Sequence, residues 1–228
     1  MSTSVTIIIP VLNESQAIQN HIDSLKWLAQ SCAVLFIDGH SSDNTVDLLR
    51  SNHLKVLTSP FTGRGAQLAC GISHLNDYCD VVLMLHIDTQ LPESFKHDVT
   101  QAMKQNAWGH FDVCFNSNAL LFKIIQTMMN WRSRITGIAT GDQAIFVSKS
   151  TLKVYLNELS NHPLMEDIYL SKMLKKKFGR GTTIQNPVIT STRYWQKNGV
   201  FKAVIRMWKF RFLYSMGTSP KELFRRYY

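Results

Sequence analysis

The first part of the chain alternates short, nearly unbroken apolar runs with segments that have helical periodicity. The apolar runs lie at residues 5–11, 33–37, 55–57 and 81–87. A strand that is apolar at nearly every position is buried on both faces, and strands separated by helices pair in parallel. The pattern therefore predicts an α/β, Rossmann-like fold with a mostly parallel central sheet flanked by helices.

Helices are predicted between these strands from the spacing of apolar residues and from capping residues. The first helix follows Asn13, an N-cap candidate, and Asp43 is placed to cap the second. A third helix is predicted over residues 66–76. The first strand is expected to end at Pro10, which removes a backbone donor. A fourth helix is expected to begin at Pro92, because the first turn of a helix does not need that N–H group.

The pattern is less regular after residue 106. Strands are predicted at residues 112–115 and 144–147, and a last strand lies between residues 182 and 192. Helices are predicted at residues 119–131 and 164–175. The first of these two helices carries an apolar stripe that we interpret as core, and its members are Leu120, Ile124, Met128 and Trp131.

The composition is that of a folded globular protein. The chain has 228 residues, of which 45% are hydrophobic and 18% charged, enough for one domain with a buried core. No apolar run is long enough to predict a transmembrane helix, and the N-terminus lacks the pattern of a signal peptide. The four cysteines have no Cys-x-x-Cys spacing. They argue against a zinc site and fit a reducing cytoplasm, where we expect the protein to be located.

The chain is basic, with a formal net charge of +9 and the excess concentrated after residue 120. This charge suits nucleic acid, an anionic membrane surface or a phosphorylated substrate. No zinc-finger, homeodomain or RNA-recognition signature is present, so we expect no nucleic-acid partner. Residues 200–214 mix aromatic and basic side chains at helical spacing. This segment either makes a peripheral contact with the inner face of the cell membrane or packs on the domain with its basic side chains directed outward.

Polar residues follow three of the predicted strands at corresponding ends, and they include Glu14, Asp38 and Asp88. Ligands of open α/β sheets bind beyond the carboxyl ends of the strands, so we expect these residues to converge. The alternative for Asp88 is that it only caps the next helix. Glu166 and Asp167 fall in the first turn of a predicted helix, where acidic residues also stabilise the helix dipole.

Phosphate recognition, if present, needs groups other than a glycine-rich loop. The chain has no Gly-x-Gly-x-x-Gly after its first strand and no Gly-x-x-x-x-Gly-Lys-Ser/Thr motif. A dinucleotide-binding fold and a P-loop are therefore not predicted. A metal ion together with arginine or lysine side chains would have to bind a phosphate.

Five short motifs, taken in order, resemble the family 2 glycosyltransferases of the GT-A fold, and the resemblance covers nearly the whole chain. The motifs lie at residues 7–14, 37–45, 64–65, 85–88 and 165–167. With residues 141–143 and the ending from 190 to 228, they also resemble a bacterial subgroup called radical-SAM/selenodomain-associated transferases.

The resemblance implies one GT-A domain over residues 1–228. Its parts would be a nucleotide-binding half at 1–105, an acceptor half at 106–195 and a basic, aromatic helical tail at 196–228. The implied reaction is inverting transfer of a sugar from a nucleotide-diphosphate sugar to a hydroxyl of an unknown acceptor. This would make the protein a sugar transferase of enzyme class 2.4.

The resemblance also implies roles for single residues. Asp88 would bind a divalent metal, Mn²⁺ or Mg²⁺, between the two phosphates. Asp167 would be the general base, with Glu166 as the second candidate. The positions that match the family's donor site are Pro10, Val11, Glu14, Asp38, Ser41, Arg64, Gly65, His86 and Asp88.

The chain departs from the family pattern in two places. His86 stands where the family has the first aspartate of Asp-x-Asp, and Gly39 stands where it has a second aspartate after Asp38. Residues 193–195, Arg-Tyr-Trp, match only part of the arginine–tryptophan motif of processive members. We interpret Trp195 as a packing residue and Arg193 as a source of general positive potential.

Two other functions are alternatives to the transferase. A nucleotidyltransferase of similar fold would need a glycine-rich loop after the first strand, which residues 10–14 do not provide. The second is a non-catalytic protein that binds a nucleotide or a membrane surface. The altered metal motif at His86 supports this alternative.

Overall fold

The computed structural model describes residues 3–227, and the strands in this range form one eight-stranded sheet. The strands are β1 (Val5–Val11), β2 (Ala33–Asp38), β3 (Val56–Thr58), β4 (Val81–Met84), β5 (Thr89–Gln90), β6 (Trp108–Phe115), β7 (Phe146–Ser148) and β8 (Thr182–Thr190). Their order across the sheet is β3-β2-β1-β4-β7-β6-β8-β5. The first four strands in this order pair in parallel, as do β6 and β8. β7 is antiparallel to β4 and β6, and β5 is antiparallel to β8.

Helices lie on both faces of this sheet, which confirms the predicted α/β fold. The helices are α1 (Ser15–Ser31), α2 (Thr45–Ser51), α3 (Arg64–Ser73), α4 (Phe95–Met103), α5 (Leu120–Thr136), α6 (Lys149–Lys153), α7 (Leu156–Ser160), α8 (Glu166–Phe178), α9 (Arg193–Asn198), α10 (Val200–Ser215) and α11 (Pro220–Tyr227). A 3₁₀ turn at Gly141–Gln143 precedes β7. The division of the chain into nucleotide and acceptor halves stays a prediction.

The central strands are buried on both faces, as their apolar sequence predicts. In β1, Ile7 and Ile9 belong to an apolar cluster that α1 and α4 cover. Ile8 belongs to a second cluster, which includes residues of α3 and α8. Because neighbouring side chains of a strand point to opposite faces, β1 has no solvent-facing side along this stretch.

The segment after β4 differs from the prediction. β4 ends at Met84, so His86 and Asp88 lie in the irregular segment between β4 and β5 rather than in the strand. Pro92 does not open the next helix, because α4 begins at Phe95. The backbone N–H of Phe95 donates to the Pro92 carbonyl at 2.9 Å, so a separate turn precedes the helix.

The start of the chain also differs in two details. β1 continues one residue past Pro10, to Val11. Its pairing with β4 ends at Ile8, so the missing N–H of Pro10 removes no hydrogen bond between these two strands. The N-cap of α1 is Glu14, not Asn13. Asn13 has a positive φ of 54°, and its side-chain oxygen accepts a hydrogen bond from the Ser42 N–H at 2.8 Å. It therefore joins the loops after β1 and β2.

The prediction that the apolar stripe of α5 (Leu120, Ile124, Met128 and Trp131) lies in the core is wrong. Its members are 49–72% exposed. The opposite face of α5 is the packed one: Phe122 is buried, and Gln126 and Asn130 hydrogen-bond the backbone of β6. Periodicity separates the faces of a helix, but when both carry apolar residues it does not decide which one meets the sheet.

α10 has two apolar faces. Ala203 and Phe210 are buried, so the helix packs on the domain as one of the two interpretations requires. Phe201, Trp208 and Phe212 point the other way and are exposed. No helix within residues 3–227 is both long enough and apolar enough to cross a membrane.

Gly65 determines how closely α3 approaches α7. A Cβ atom at this position would lie 2.1 Å from the carbonyl oxygen of Leu159 and 2.3 Å from that of His162. Both obstacles are backbone atoms, which cannot rotate away as a side chain can. The resemblance places Gly65 in the donor site, but the close packing of α3 against α7 is by itself enough to explain a glycine at this position.

We expect Gly65→Ala to lower the free energy of unfolding by about 1–3 kcal/mol, because the added methyl group overpacks two backbone carbonyls. Denaturant unfolding of the variant and the wild type measures this difference. Ser73→Ala, at the exposed end of the same helix, is the control and should change stability by less than about 0.5 kcal/mol. Equal stability of the Gly65→Ala protein would contradict the close approach.

Candidate functional site

The candidate site begins at the carboxyl ends of β1 and β2. Asp38, the last residue of β2, is buried, and its carboxylate accepts hydrogen bonds from the N–H groups of His40 and Ser41, both at 3.1 Å. The Ser41 hydroxyl accepts the N–H of Asn13 at 2.9 Å. These bonds hold the predicted donor residues Asp38 and Ser41 beside the end of β1.

Gln67 is a site residue that sequence reasoning missed. Its side-chain amide nitrogen donates to the carbonyls of Val11 at 2.8 Å and Ile37 at 2.7 Å, so it joins the ends of β1 and β2. A Cβ atom on Gly39 would lie 2.9 Å from the same nitrogen. The glycine in place of the family's second aspartate therefore leaves room for Gln67. The only sequence signal was a polar residue on the buried face of α3.

Arg193 forms a cluster with two predicted site residues, which we call the Arg193 clamp (Glu14, Asp88 and Arg193). Nη2 of Arg193 lies 2.8 Å from Glu14 Oε2 and 3.5 Å from Asp88 Oδ2. The side chains are partly exposed, at 39% for Arg193, 25% for Glu14 and 17% for Asp88. Arg193 is thus a specific partner of both carboxylates, not only a source of general potential. Trp195 is buried, as expected of a packing residue.

His86 pairs with Asp142, not with Asp88. Its Nδ1 lies 3.2 Å from Asp142 Oδ1. A Cβ atom on Gly141 would lie 2.4 Å from His86 Nε2, so a larger residue there would displace the His86 ring. Partial removal from water raises the pKa of Asp142, but the hydrogen bond and charge of His86, with Arg64 and Arg132, outweigh it and lower the pKa.

Glu166 and Arg64 form an ion pair at the start of α8. The Arg64 Nε lies 3.1 Å from Glu166 Oε1, and the Glu166 side chain is only 6% exposed. Burial raises the pKa of Glu166 to about 7, with Arg64 opposing this rise and Asp167 adding to it. Glu166 therefore changes its charge near neutral pH.

The Asp167 carboxylate is fixed by backbone donors on both oxygens. Oδ2 accepts the N–H of Gly141 at 2.9 Å, and Oδ1 accepts the N–H of Ile168 at 2.7 Å. Arg132 lies close enough to interact with Asp167 and Asp142, and burial lowers the pKa of its guanidinium. The sequence pattern predicts no role for Asp142 or Arg132, although residues 141–143 belong to the motifs of the resemblance.

Unusual backbone conformations border the site. Asn13, His40, Ala144 and Met165 have positive φ values of 54°, 73°, 45° and 64°. This conformation costs a non-glycine residue about 1–2 kcal/mol, so the surrounding contacts must impose it. Met165 immediately precedes Glu166 and therefore sets the direction in which α8 begins.

A small cavity of about 20 Å³ joins several of these groups. Its lining includes Pro10, Arg64, His86, Glu166 and Asp167. Of the predicted residues, Glu14 and Asp88 meet in the Arg193 clamp. Asp38 at the end of β2 and Ser41 in the following loop are joined by a hydrogen bond. Gly65 packs against α7. The predicted residues thus occupy one end of the sheet in three adjoining groups.

The model of Glycosyl transferase family 2 matches residues 6–160 of the chain. The chain belongs to this family. No curated protein matches its sequence. The family match does not extend to the radical-SAM-associated subgroup, which stays a prediction.

Solved structures similar to this family 2 chain share its fold at low sequence identity. S. aureus TarS 1–349 in complex with UDP-GlcNAc has a TM-score of 0.61 at 16% identity, covering 83% of this chain and 58% of that one. Mycobacterium tuberculosis glucosyl-3-phosphoglycerate synthase with Mn²⁺, UDP and phosphoglyceric acid has a TM-score of 0.54 at 14% identity, covering 80% and 68%. The chain thus spans less than two thirds of the TarS structure. The expected GT-A fold is confirmed.

The family 2 site offers few protein ligands for a divalent metal. Within residues 3–227 no group of three or more His, Cys, Asp or Glu side chains could hold an ion. Mg²⁺, however, is often bound by one or two protein carboxylates together with substrate phosphates. Asp88 fits this arrangement as the single protein ligand. The residues therefore suit a metal that arrives with a diphosphate, and they do not form a metal site by themselves.

We expect the stability of the wild type to contain a pH-dependent contribution from Glu166. An ordinary glutamate ionises near pH 4.5, whereas folded Glu166 ionises near 7. Between these values the folded state keeps a proton that the unfolded state has lost, so this contribution falls as pH rises from about 4.5 to 7. Glu166→Gln cannot titrate, so its free energy of unfolding should improve relative to the wild type over this range.

Denaturant unfolding of both proteins from pH 5 to pH 8 measures the difference. Glu158→Gln, at an exposed position of α7, serves as the control for removing a carboxylate. Parallel stability curves for Glu166→Gln and the wild type would contradict the raised pKa of Glu166.

Proposed function

We propose that this chain is a nucleotide-sugar glycosyltransferase that transfers a sugar, with inversion, to an acceptor hydroxyl. The observation that carries the proposal is the assembly of strand-end carboxylates, arginines and the Glu166–Asp167 pair at one end of the sheet. Membership of glycosyl transferase family 2 supports it. The UDP-GlcNAc and UDP complexes of similar structures support a nucleotide-diphosphate donor.

The donor nucleotide binds at the ends of β1 and β2 in this proposal. Pro10 and Val11 present backbone and apolar surface, while Asp38 and Ser41 keep the adjoining loop in place. Gln67 holds the two strand ends together through their carbonyls. The nucleotide therefore meets a surface whose shape is fixed before it binds, which reduces the ordering cost of binding.

The diphosphate lies near the Arg193 clamp and Arg64. Arginine forks pair well with phosphate oxygens, and Arg193 can exchange a carboxylate partner for a phosphate. A metal ion held by Asp88, Mn²⁺ or Mg²⁺, supplies further neutralisation of the leaving diphosphate when bound. Release of Asp88 from Arg193 frees the carboxylate for this role.

Asp167 is the general base. The acceptor oxygen attacks the anomeric carbon from the side opposite the diphosphate, and the bond from this carbon to the diphosphate oxygen breaks. The hydroxyl proton passes to Asp167, and the nucleoside diphosphate leaves with the bond electrons. Two backbone N–H donors orient the Asp167 carboxylate, and each oxygen retains a lone pair for the proton. Buried Glu166, paired with Arg64, is the second candidate.

We place this reaction in the cytoplasm. All four cysteines are free thiols, and two of them, Cys70 and Cys79, are buried. A chain without disulfides fits a reducing compartment.

The specific rival is a nucleotide-binding protein without turnover. The contact between Arg193 and Asp88 favours it, because the arginine already neutralises the carboxylate expected to hold the metal. The two functions differ in whether nucleotide binding needs the metal and whether the bound donor is turned over.

Calorimetric titration with UDP, GDP, CDP and dTDP, each with and without Mn²⁺, tests the donor site. We expect one nucleotide to bind more tightly with the metal. Asp88→Asn should weaken this metal-dependent binding by about tenfold or more, since the only protein ligand is lost, and abolish turnover of the matching nucleotide sugar. Asp23→Asn, on the exposed face of α1, is the control. Binding that ignores both Mn²⁺ and Asp88→Asn would remove the metal from the proposal.

Asp167→Asn tests the base. We expect kcat for release of the nucleoside diphosphate to fall by about 10²–10⁴, because the amide cannot take the acceptor proton. Nucleotide affinity, measured by the same titration, should change little. Glu166→Gln is the matched comparison, and a larger kcat loss there than in Asp167→Asn would reverse the assignment.

A further inference from the structure

The outer face of α10 is an apolar stripe without a partner among the described residues. It consists of Phe201, Ile205, Trp208, Phe212 and Met216, which are 62–73% exposed. These residues recur at the three- and four-residue spacing that places them on one side of a helix. The opposite side is the one that packs, through Ala203 and Phe210. The core therefore does not need this stripe.

The outer face of α5 is a second stripe of the same kind. Leu120, Ile124, Met128, Trp131 and Ile135 are 49–72% exposed. Scattered exposed apolar residues are ordinary in proteins, but two aromatic-containing stripes on neighbouring elements are not.

Both helices are anchored in one apolar cluster. Phe122 of α5 and Ala203 of α10 pack there with Phe115 and Trp195. Phe115 contacts Phe122 and Trp195, with ring centroids 5.4 Å and 5.8 Å away. The two helices thus pack on one cluster through their inner faces, and we call their two exposed stripes together the α5–α10 surface.

The charge of this part of the chain is almost entirely positive. From residue 168 to the end there are fourteen Lys and Arg residues and one acidic residue, Glu222. The segment between Asp112 and Asp142 contains three basic residues and no acidic one. On α10 itself, exposed Lys202 and Lys209 flank the apolar stripe.

We propose that the α5–α10 surface docks on an anionic lipid bilayer. An amphipathic helix whose apolar face carries Trp and Phe and whose flanks carry Lys suits the boundary between headgroups and acyl chains. Basic side chains beside that face are attracted to anionic headgroups. A second copy of the chain would bring two basic surfaces together, so charge complementarity favours the lipid. This surface is proposed independently of the transferase reaction.

Flotation with vesicles tests the docking. The full chain is mixed with phosphatidylcholine vesicles containing either no anionic lipid or about 30 mol% phosphatidylglycerol. We expect binding to the anionic vesicles that is about tenfold or more tighter than to the neutral ones. Binding should weaken steeply as NaCl is raised to about 0.5 M, because salt screens the basic side chains.

Two variants separate the contributions of the surface. Phe201→Ser/Trp208→Ser/Phe212→Ser removes apolar area, and Lys202→Gln/Lys209→Gln removes charge; each should lower vesicle binding about tenfold or more. The controls are Tyr78→Ser, an exposed aromatic elsewhere, and Lys26→Gln/Lys55→Gln. Far-ultraviolet circular dichroism verifies that each variant is folded.

Absent or salt-insensitive vesicle binding would overturn the proposal. So would variants that bind vesicles as well as their controls do. Sedimentation velocity tests the other possible occupant, a second copy of the chain. If the wild type is a dimer that does not bind vesicles, and the triple serine variant is a monomer, the surface is a dimer interface. The readouts require no nucleotide, so they stand apart from any test of sugar transfer.

Discussion

Burial of the central strands on both faces is the constraint on which the rest of the structure depends. Ile7 and Ile8 lie in apolar clusters on opposite sides of the sheet, so β1 offers no position for a charged group. The polar residues of the candidate site therefore lie at or beyond the strand ends, as His86 and Asp88 do. Gln67, on α3, is buried, and its amide satisfies two strand-end carbonyls.

Ion pairs between distant parts of the chain then assemble these ends into a site. Arg193 meets Glu14 across 179 residues of sequence, and Arg64 from α3 meets Glu166 from α8. In a partly buried environment an uncompensated charge is costly, so each pairing ties the position of one element to that of another. The same pairings place positive charge beside a carboxylate pair, as the proposed transfer of a sugar from a diphosphate requires.

The outer faces of α5 and α10, unlike the central strands, expose apolar side chains to solvent. α5 and α10 each bury one apolar face and leave another in solvent, although burial of both would stabilise the fold further. Such faces are retained in water at a cost in solubility, which the high positive charge of the region offsets. Charge and exposed apolar area thus coexist in the same part of the molecule, and together they select an anionic, partly apolar partner.

The sequence by itself determined most of the strands and the longer helices, the mostly parallel sheet and the end of the sheet where polar residues gather. The spacing of apolar residues and the polarity of strand ends are local properties of the chain. The sequence also carried the short motifs that resemble family 2. It could not decide that His86 would face Asp142, that Arg193 would hold Asp88, or that the α5 stripe would be exposed. Those outcomes depend on which distant side chains compensate one another's charge and which of two apolar helix faces meets the sheet. Only the tertiary structure settles them, since both are competitions between contacts far apart in the chain.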